Sequence, residues 1–314
     1  MSLNPPKSII NVDTHLSYIN VANVLLVWVY KDEDLCFLVD PGPMGTIRTI
    51  KRNLKKLEIG ENDLDYILLT HIHTDHAGCV GKLIEFFPHA KIICHPNGVQ
   101  HLINPEKLYE KTLKVLGKGG ELAGKFLPVP KDCIISQNNI EQGTIKAIET
   151  LGHAPHHQCY LFKKYLFIGE AASCIFPISE FDFLYPATPP IFDYSIYISS
   201  IEKLLSENLT DYIACYPHLG MRDNAHKMIK LGYEQIKVWL RVFNSLYEDR
   251  KKPEFLEMLM TRLKKEDKIF GKFDQLDKFH QTKVPAVTRD SIKGILGYVE
   301  KTRKVNEDLE IHSK

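Results

Sequence analysis

The densest chemistry in the chain lies in "HIHTDHAG", where His71, His73, Asp75 and His76 follow the apolar run "YILLT". Neutral imidazole and carboxylate at this density suit Zn²⁺, Fe or Mn²⁺. His71 and His73 are two apart, which in an extended or turning segment can put both rings on one side; Asp75 and His76 then project toward a second point. A lone histidine is more often an ordinary hydrogen-bonded side chain. With 14 His in 314 residues, three at these spacings occur by chance in roughly 3% of chains, and Asp75 cuts that by more than about tenfold.

Three further groups sit where strands should end. "TLGHAPHH" supplies His153 after "TIKAIE", "FIGEAA" supplies Glu170 after "YLF", and "YPHLG" supplies His218 after "YIAC". In layered α/β folds, site residues gather at the ends of several strands, so residues distant in sequence can converge. The elements that would position them are legible from periodicity. "VANVLLVWVY", "LCFLVD", "LDYILLT", "KIICH" and "YIACYPHLG" read as strands, and "QCYLF-KK-YLFIGE" as a hairpin. "TIRTIKRNLKKL", "VGKLIEFFP" and "KLYEKTLKVLG" read as helices.

Composition shifts near residue 222. Beyond it, "HKMIKLGYEQIKVWLRVFNSLYE", "PEFLEMLMTRLKKED" and "SIKGILGYVEKTRK" read as helices, with 21 Lys+Arg against 15 Asp+Glu in residues 222–314, a net +6. Solvated amphipathic helices packed on the core explain this charge; a mildly basic cap for an anionic substrate is the sharper alternative. Two units follow: a catalytic domain at 1–222 and a helical C-terminal extension at 223–314.

The whole-chain net charge of +1 gives no sign of a nucleic-acid surface. No signal peptide and no run of about 18 apolar residues is visible, so a cytoplasmic protein without a membrane partner is expected. The seven cysteines are scattered without a CxxC pair and read as buried, reduced thiols.

Taken together, "THIHTDH", "TLGHAPHH", "FIGEAA", "YPHLG" and the earlier "LVDPGP" resemble, in order, the motifs of the metallo-β-lactamase-fold hydrolase superfamily. The resemblance implies a four-layer αββα sandwich and a two-metal centre, most simply two Zn²⁺, with Fe or Mn²⁺ as alternatives. His71, His73 and His153 would bind one metal; Asp75, His76 and His218 the second; Glu170 would bridge both. Asp40 and His157 would orient these ligands from behind. Glu170 is one methylene longer than the aspartate usual at its position, and His156 replaces a glycine. Histidine at position 73, where diiron oxygen-reducing relatives carry glutamate, argues against that branch.

The chemistry implied is hydrolysis by a hydroxide held between two metals, with Asp75 orienting it. No G-x-S-x-G nucleophile elbow is present. A small ester, thioester or lactone is the expected substrate. The glyoxalase II branch favours a thioester, whereas the tyrosine of acyl-homoserine-lactone lactonases is replaced by Ser173. A phosphodiesterase, a mononuclear-iron persulfide dioxygenase and a non-catalytic binding protein are the alternatives. Phe176, Phe181, Phe183, Tyr185 and Tyr194, in the Pro- and aromatic-rich stretch after Glu170, are candidate pocket walls. The same stretch also suits a core plug or a contact between copies, so a homodimer stays open.

Overall fold

The computed structural model describes residues 9–13, 26–176, 181–218 and 220–312. Two six-stranded sheets carry the architecture. The first runs in sequence order: β1 (Ile9–Asp13), β2 (Leu26–Lys31), β3 (Cys36–Val39), β4 (Tyr66–Leu68), β5 (Lys91–Ile93) and β6 (Ile134–Ile135). From β3 to β6 its strands are parallel. The second is built from β7 (Asn139–Ile140), β8 (Ile145–Glu149), β9 (Gln158–Phe162) and β10 (Tyr165–Phe167). A two-stranded hairpin, β11 (Cys174–Phe176) and β12 (Phe183–Tyr185), intervenes before β13 (Ile213–Tyr216) and β14 (Gly220–Arg222) complete that sheet. The β9–β10 pair is the hairpin expected from the sequence, and Lys163 in its turn adopts φ +52°. Residues 21–25 of the expected first strand lie outside the described residues.

The helices are α1 (Ile47–Lys56), α2 (Thr74–Ala77), α3 (Val80–Phe86), α4 (Pro96–Ile103), α5 (Glu106–Leu116) and α6 (Lys118–Ala123), then α7 (Tyr194–Ser206), α8 (Ala225–Leu246), α9 (Phe255–Glu266) and α10 (Lys278–His312).

Strand alternation sorts the side chains into three cores. Trp28, Tyr30, Phe37 and Val39 face the second sheet and meet Tyr160, Phe162, Phe167 and Cys215. Phe37 packs edge-on to Phe162 and Phe167, at ring-centroid distances of 5.0 and 5.9 Å. The neighbouring residues Val27, Val29, Cys36 and Leu38 point the other way, against Ile50 and Leu54 of α1 and Leu83 of α3. On the far side of the second sheet, Leu166, Ala214 and Tyr216 join Tyr197, Ile236, Trp239, Leu259 and Ile295 from α7–α10. Helix, sheet, sheet, helix: these are the four layers expected. Truncating one of the central phenylalanines to alanine would cost about 3–5 kcal/mol.

The C-terminal helical region is present as expected, with one difference. The last helix starts at Lys278, well before "SIKGILGYVEKTRK", and passes through Pro285. Residues 278–290 have weak apolar periodicity, but Val284 and Thr288 are fully buried, so tertiary packing carries the helix through the proline. Many of the region's basic side chains pair locally, including Arg241 and Arg262 with Glu266, Lys264 with Asp274 and Arg303 with Glu248. All seven cysteines are buried and unpaired. Among the described residues, no helix is long and apolar enough to cross a membrane.

Candidate metal centre

The polar residues gather where the strands of both sheets end. Asp40 follows β3, His71 follows β4, His153 follows β8, Glu170 follows β10 and His218 follows β13. His73 precedes the one-turn helix α2, which carries Asp75 and His76. A short turn of helix directly after a strand presents two sets of side chains in different directions.

Two clusters result. Ligand atoms of His71, His73, His153 and Glu170 lie within 4.8 Å of one another, as do those of Asp75, His76 and His218. In the first, His153 Nε2 is 3.1 Å from His73 Nδ1 and 2.9 Å from Glu170 Oε2, and His71 Nε2 is 3.6 Å from the same oxygen. In the second, His76 Nε2 and His218 Nε2 stand 3.5 and 3.8 Å from Asp75 Oδ2. Glu170 reaches both: Oε2 is 3.8 Å from His76 Nε2, and Oε1 is 3.6 Å from His218 Nε2. Four ligands at Zn–N and Zn–O distances near 2.0–2.1 Å around one tetrahedral ion are spaced by roughly 3.3 Å, so the separations fit a metal-binding donor set.

Asp40 organises the histidine loop. It is 2% exposed and adopts φ +51°, a left-handed conformation that Asp tolerates. Its Oδ1 accepts from the Thr70 amide at 2.8 Å and its Oδ2 from the Thr70 hydroxyl at 2.6 Å. Oδ2 also faces His76 Nδ1 at 3.0 Å, and the Thr70 oxygen faces His71 Nδ1 at 3.1 Å. With the Thr70 proton given to Asp40, its oxygen accepts from His71 Nδ1–H. One carboxylate thus sets both rings with Nε2 forward. Those two atoms, His71 Nε2 and His76 Nε2, are buried and without a hydrogen-bond partner in the structure. Such atoms are costly to bury unpaired, and a metal would satisfy them.

The other candidate ligands are held differently. Nδ1 of His153 faces the Ala187 carbonyl at 2.9 Å, which turns its Nε2 to the cluster. His157 Nε2 accepts from the Glu170 amide at 3.0 Å, and its Nδ1 faces the Thr150 hydroxyl at 2.9 Å. Gly169 makes this approach feasible: it has φ +54°, and a Cβ there would lie 2.6 Å from His157 Nε2. The Cys174 thiol donates to Glu170 Oε1 at 2.8 Å, and Tyr185 in turn hydrogen-bonds Cys174. His156 accepts from the Ile72 amide at 3.4 Å, behind the loop.

Burial drives the electrostatics. It holds His71 and His157 well below the usual histidine range, takes His156 down to about 2, and, with the His153 ring, takes His73 to about 4. Burial also opposes charge on His76, but Asp75, Asp40 and Glu170 outweigh it and raise its pKa to about 10. Glu170, which burial alone would raise, is held well below the carboxylate range by His153, His218 and His76. Burial and the adjacent Glu170 push the Cys174 thiol well up, so it stays a donor.

The profile of the metallo-beta-lactamase superfamily matches residues 20–208. The chain belongs to this superfamily. A metallo-beta-lactamase fold-containing protein of Sulfurisphaera tokodaii is 28% identical over 207 residues, 63% of this chain and 74% of that protein. A hydroxyacylglutathione hydrolase of Aeromonas salmonicida is 41% identical over 66 residues, only 21% of this chain and 24% of that enzyme. Among solved structures, an archaeal metallo-beta-lactamase superfamily protein from Sulfolobus tokodaii superposes with a TM-score of 0.61 at 24% identity, covering 74% of this chain and 87% of that one. That likeness is one of fold.

Within this superfamily frame, the aromatic stretch departs from the expected pocket. Phe183 is fully buried against Phe270, with ring centroids 5.5 Å apart, because β12 packs on the C-terminal helices; it forms core rather than a cleft wall. Tyr185 is 5% exposed and stands behind Glu170. Tyr194 packs on Tyr298, and Phe181 lies partly buried beside Lys272. The Phe176 side chain lies outside the described residues. Of the groups that orient the site, Thr70 and Cys174 sit beside motif residues and were in view in the sequence. Ala187 acts through a backbone carbonyl, for which no side-chain signal exists.

Proposed function

We propose that this chain is a two-metal hydrolase of small acyl compounds, cleaving an ester, thioester or lactone, with a thioester first. The observation that carries the reading is the pair of clusters meeting at Glu170, with two buried imidazole nitrogens that have no hydrogen-bond partner. His71, His73 and His153 would hold one cation and Asp75, His76 and His218 the other, with Glu170 shared. Asp182 and Asp193, two carboxylates of the following segment, are engaged elsewhere: Asp182 pairs with Arg222, and Asp193 caps α7. When bound, the two cations, Zn²⁺ first with Fe or Mn²⁺ as alternatives, supply Lewis acidity and a water acidified to near neutrality.

The chain's own groups do the rest. Asp75 is the most exposed carboxylate of the set, at 32%, so its Oδ2 can accept a hydrogen bond from the attacking water and orient it. His71 and His76, locked through Nδ1, keep their donor atoms fixed as charge builds on the acyl oxygen. Hydrolysis adds water across the acyl bond, leaving a carboxylic acid and a thiol or alcohol. The partly buried Phe181 and Tyr194 are the remaining candidates for contact with the acyl group. Within this reading, residues 1–222 form the catalytic unit and residues 223–314 the extension packed on it; the site works in a cytoplasmic setting on a small molecule.

The similarity to a hydroxyacylglutathione hydrolase, an enzyme named for a thioester substrate, lends weight to the thioester. Metal analysis of protein purified without added metal, paired with assays on a thioester, a lactone, a carboxyl ester and a bis-aryl phosphodiester, tests the proposal. Two metal equivalents and the highest kcat/KM on the thioester are expected. Preference for the phosphodiester, or a single iron with oxygen consumption on a persulfide, would overturn it.

A further inference from the structure

The C-terminal helix α10 grips the loop that orients one of the candidate ligands. Ala187, whose carbonyl faces His153 Nδ1 at 2.9 Å, is flanked on both sides by contacts to this helix. On one side, the Ser291 hydroxyl donates to the Pro186 carbonyl at 2.5 Å. On the other, the Thr188 hydroxyl donates to the Ser291 carbonyl at 3.0 Å. One turn further along α10, Gly294 lets the helix backbone rest directly on the loop: a Cβ there would lie 2.1 Å from the Thr188 carbonyl oxygen and 2.5 Å from that of Pro189. One turn beyond, Tyr298 packs on Phe192 and Tyr194, with ring centroids 6.1 and 5.9 Å apart. Residues 291, 294 and 298 lie on one helix face at i, i+3 and i+7. Thr188 is fully buried and Ser291 nearly so, and hydrogen bonds in such surroundings hold their geometry well.

We infer that α10 is a positioning element of the metal centre: through Thr188, Ser291 and Gly294 it fixes the Pro186–Pro189 loop, and the Ala187 carbonyl then holds His153 with Nε2 toward the metal. This rests on the two-metal reading above. A ligating histidine is typically oriented by the partner of its second nitrogen, and losing that partner commonly costs ~10–100-fold in metal affinity. Here the partner is a loop carbonyl, which has no rigidity of its own. His71 and His76 are set instead by Thr70 and Asp40, which follow β4 and β3, and need no such support.

The test compares Thr188→Val, Thr188→Ser, Gly294→Ala and, as a control for general loosening of the extension, Leu259→Ala, a fully buried core residue of α9. The readouts are metal affinities from chelator competition and the visible spectrum of the Co²⁺-loaded chain, with His153→Ala marking which component belongs to the His153 site. Thr188→Val and Gly294→Ala should weaken that site about tenfold or more and shift its spectrum, leaving the other site nearly unchanged. Thr188→Ser, which keeps the hydroxyl, should restore both. Leu259→Ala should lower the thermal midpoint with wild-type affinities. If Gly294→Ala does not fold, the Thr188 pair decides alone. Unchanged affinity and spectrum in Thr188→Val, or the same loss in Leu259→Ala, overturns the inference. A wild-type chain that binds no metal overturns the reading beneath it, and this inference with it; two tight metals in the wild type with no effect of Thr188→Val overturns the inference only.

Discussion

The two halves of the centre are held by different means. On the first sheet, residues 40–76 supply four candidate ligands together with the group that orients two of them. Asp40, Thr70, His71 and His76 form one hydrogen-bonded unit at the ends of two adjacent parallel strands. On the second sheet, His153, Glu170 and His218 come from three separate strand ends, and Glu170 and His153 lean on groups 13 and 34 residues away, the His157 ring and the Ala187 carbonyl. The first half is held in place because two central strands and a buried carboxylate fix it. The second is only as well placed as the loops and helices packed around it. A local constellation tolerates remote change; a dispersed one couples to every element that holds it.

The sharpest way to break this comparison is to remove the side chain on which both halves meet. Glu170→Gln keeps the size but loses the charge shared between the clusters. It should weaken the Asp75/His76/His218 site more than the other and lower kcat by more than about 100-fold, beyond the ~10–100-fold loss in affinity or activity typical of an outer-shell change. Metal titration with steady-state kinetics decides it; two tightly bound metals and undiminished turnover would mean the halves do not share this carboxylate.

A smaller effect is expected from Asp40→Asn, which should expose the unity of the first half. Because one carboxylate sets both His71 and His76, the affinity of both sites should fall, by about 10–100-fold each. Loss at one site alone, measured by the same titration, would show that Thr70 holds His71 without help from Asp40.

The smallest effect is a proton count. In the metal-free chain His76 has a pKa raised to about 10, from an ordinary value of 6.5. Its charge therefore stabilises the folded chain fully below pH 6.5, and that contribution is lost as pH rises through about 10. A metal bound at Nε2 would displace this proton at pH 8. Asp40→Asn removes one of the carboxylates that hold it, so the number of protons released on metal binding should drop by up to about one. Calorimetry in two buffers of different ionisation enthalpy measures the count; an unchanged number would assign the proton to another group.

How much of this was legible in advance follows from where the information sits. The histidine loop is a contiguous string of ionisable and ring side chains after an apolar strand, so its chemistry and its place at a strand end both appear in "YILLTHIHTDH". The strand alternation that divides Trp28 and Tyr30 from Val27 and Val29 is likewise a property of the chain, since the period of two belongs to the extended backbone. His153, Glu170 and His218 were legible as residues and as strand ends. Their convergence was legible only through the family resemblance and not from periodicity or spacing, because it depends on which strands become neighbours, as when β10 pairs with β13 across more than 40 residues. The tertiary structure alone decided that Phe183 is core, that α10 begins at Lys278, and that a carbonyl at Ala187 orients His153. Every residue carries a carbonyl, so nothing in a sequence marks the one that will matter; only packing, here of Gly294 and Ser291 against the Pro186–Pro189 loop, selects it.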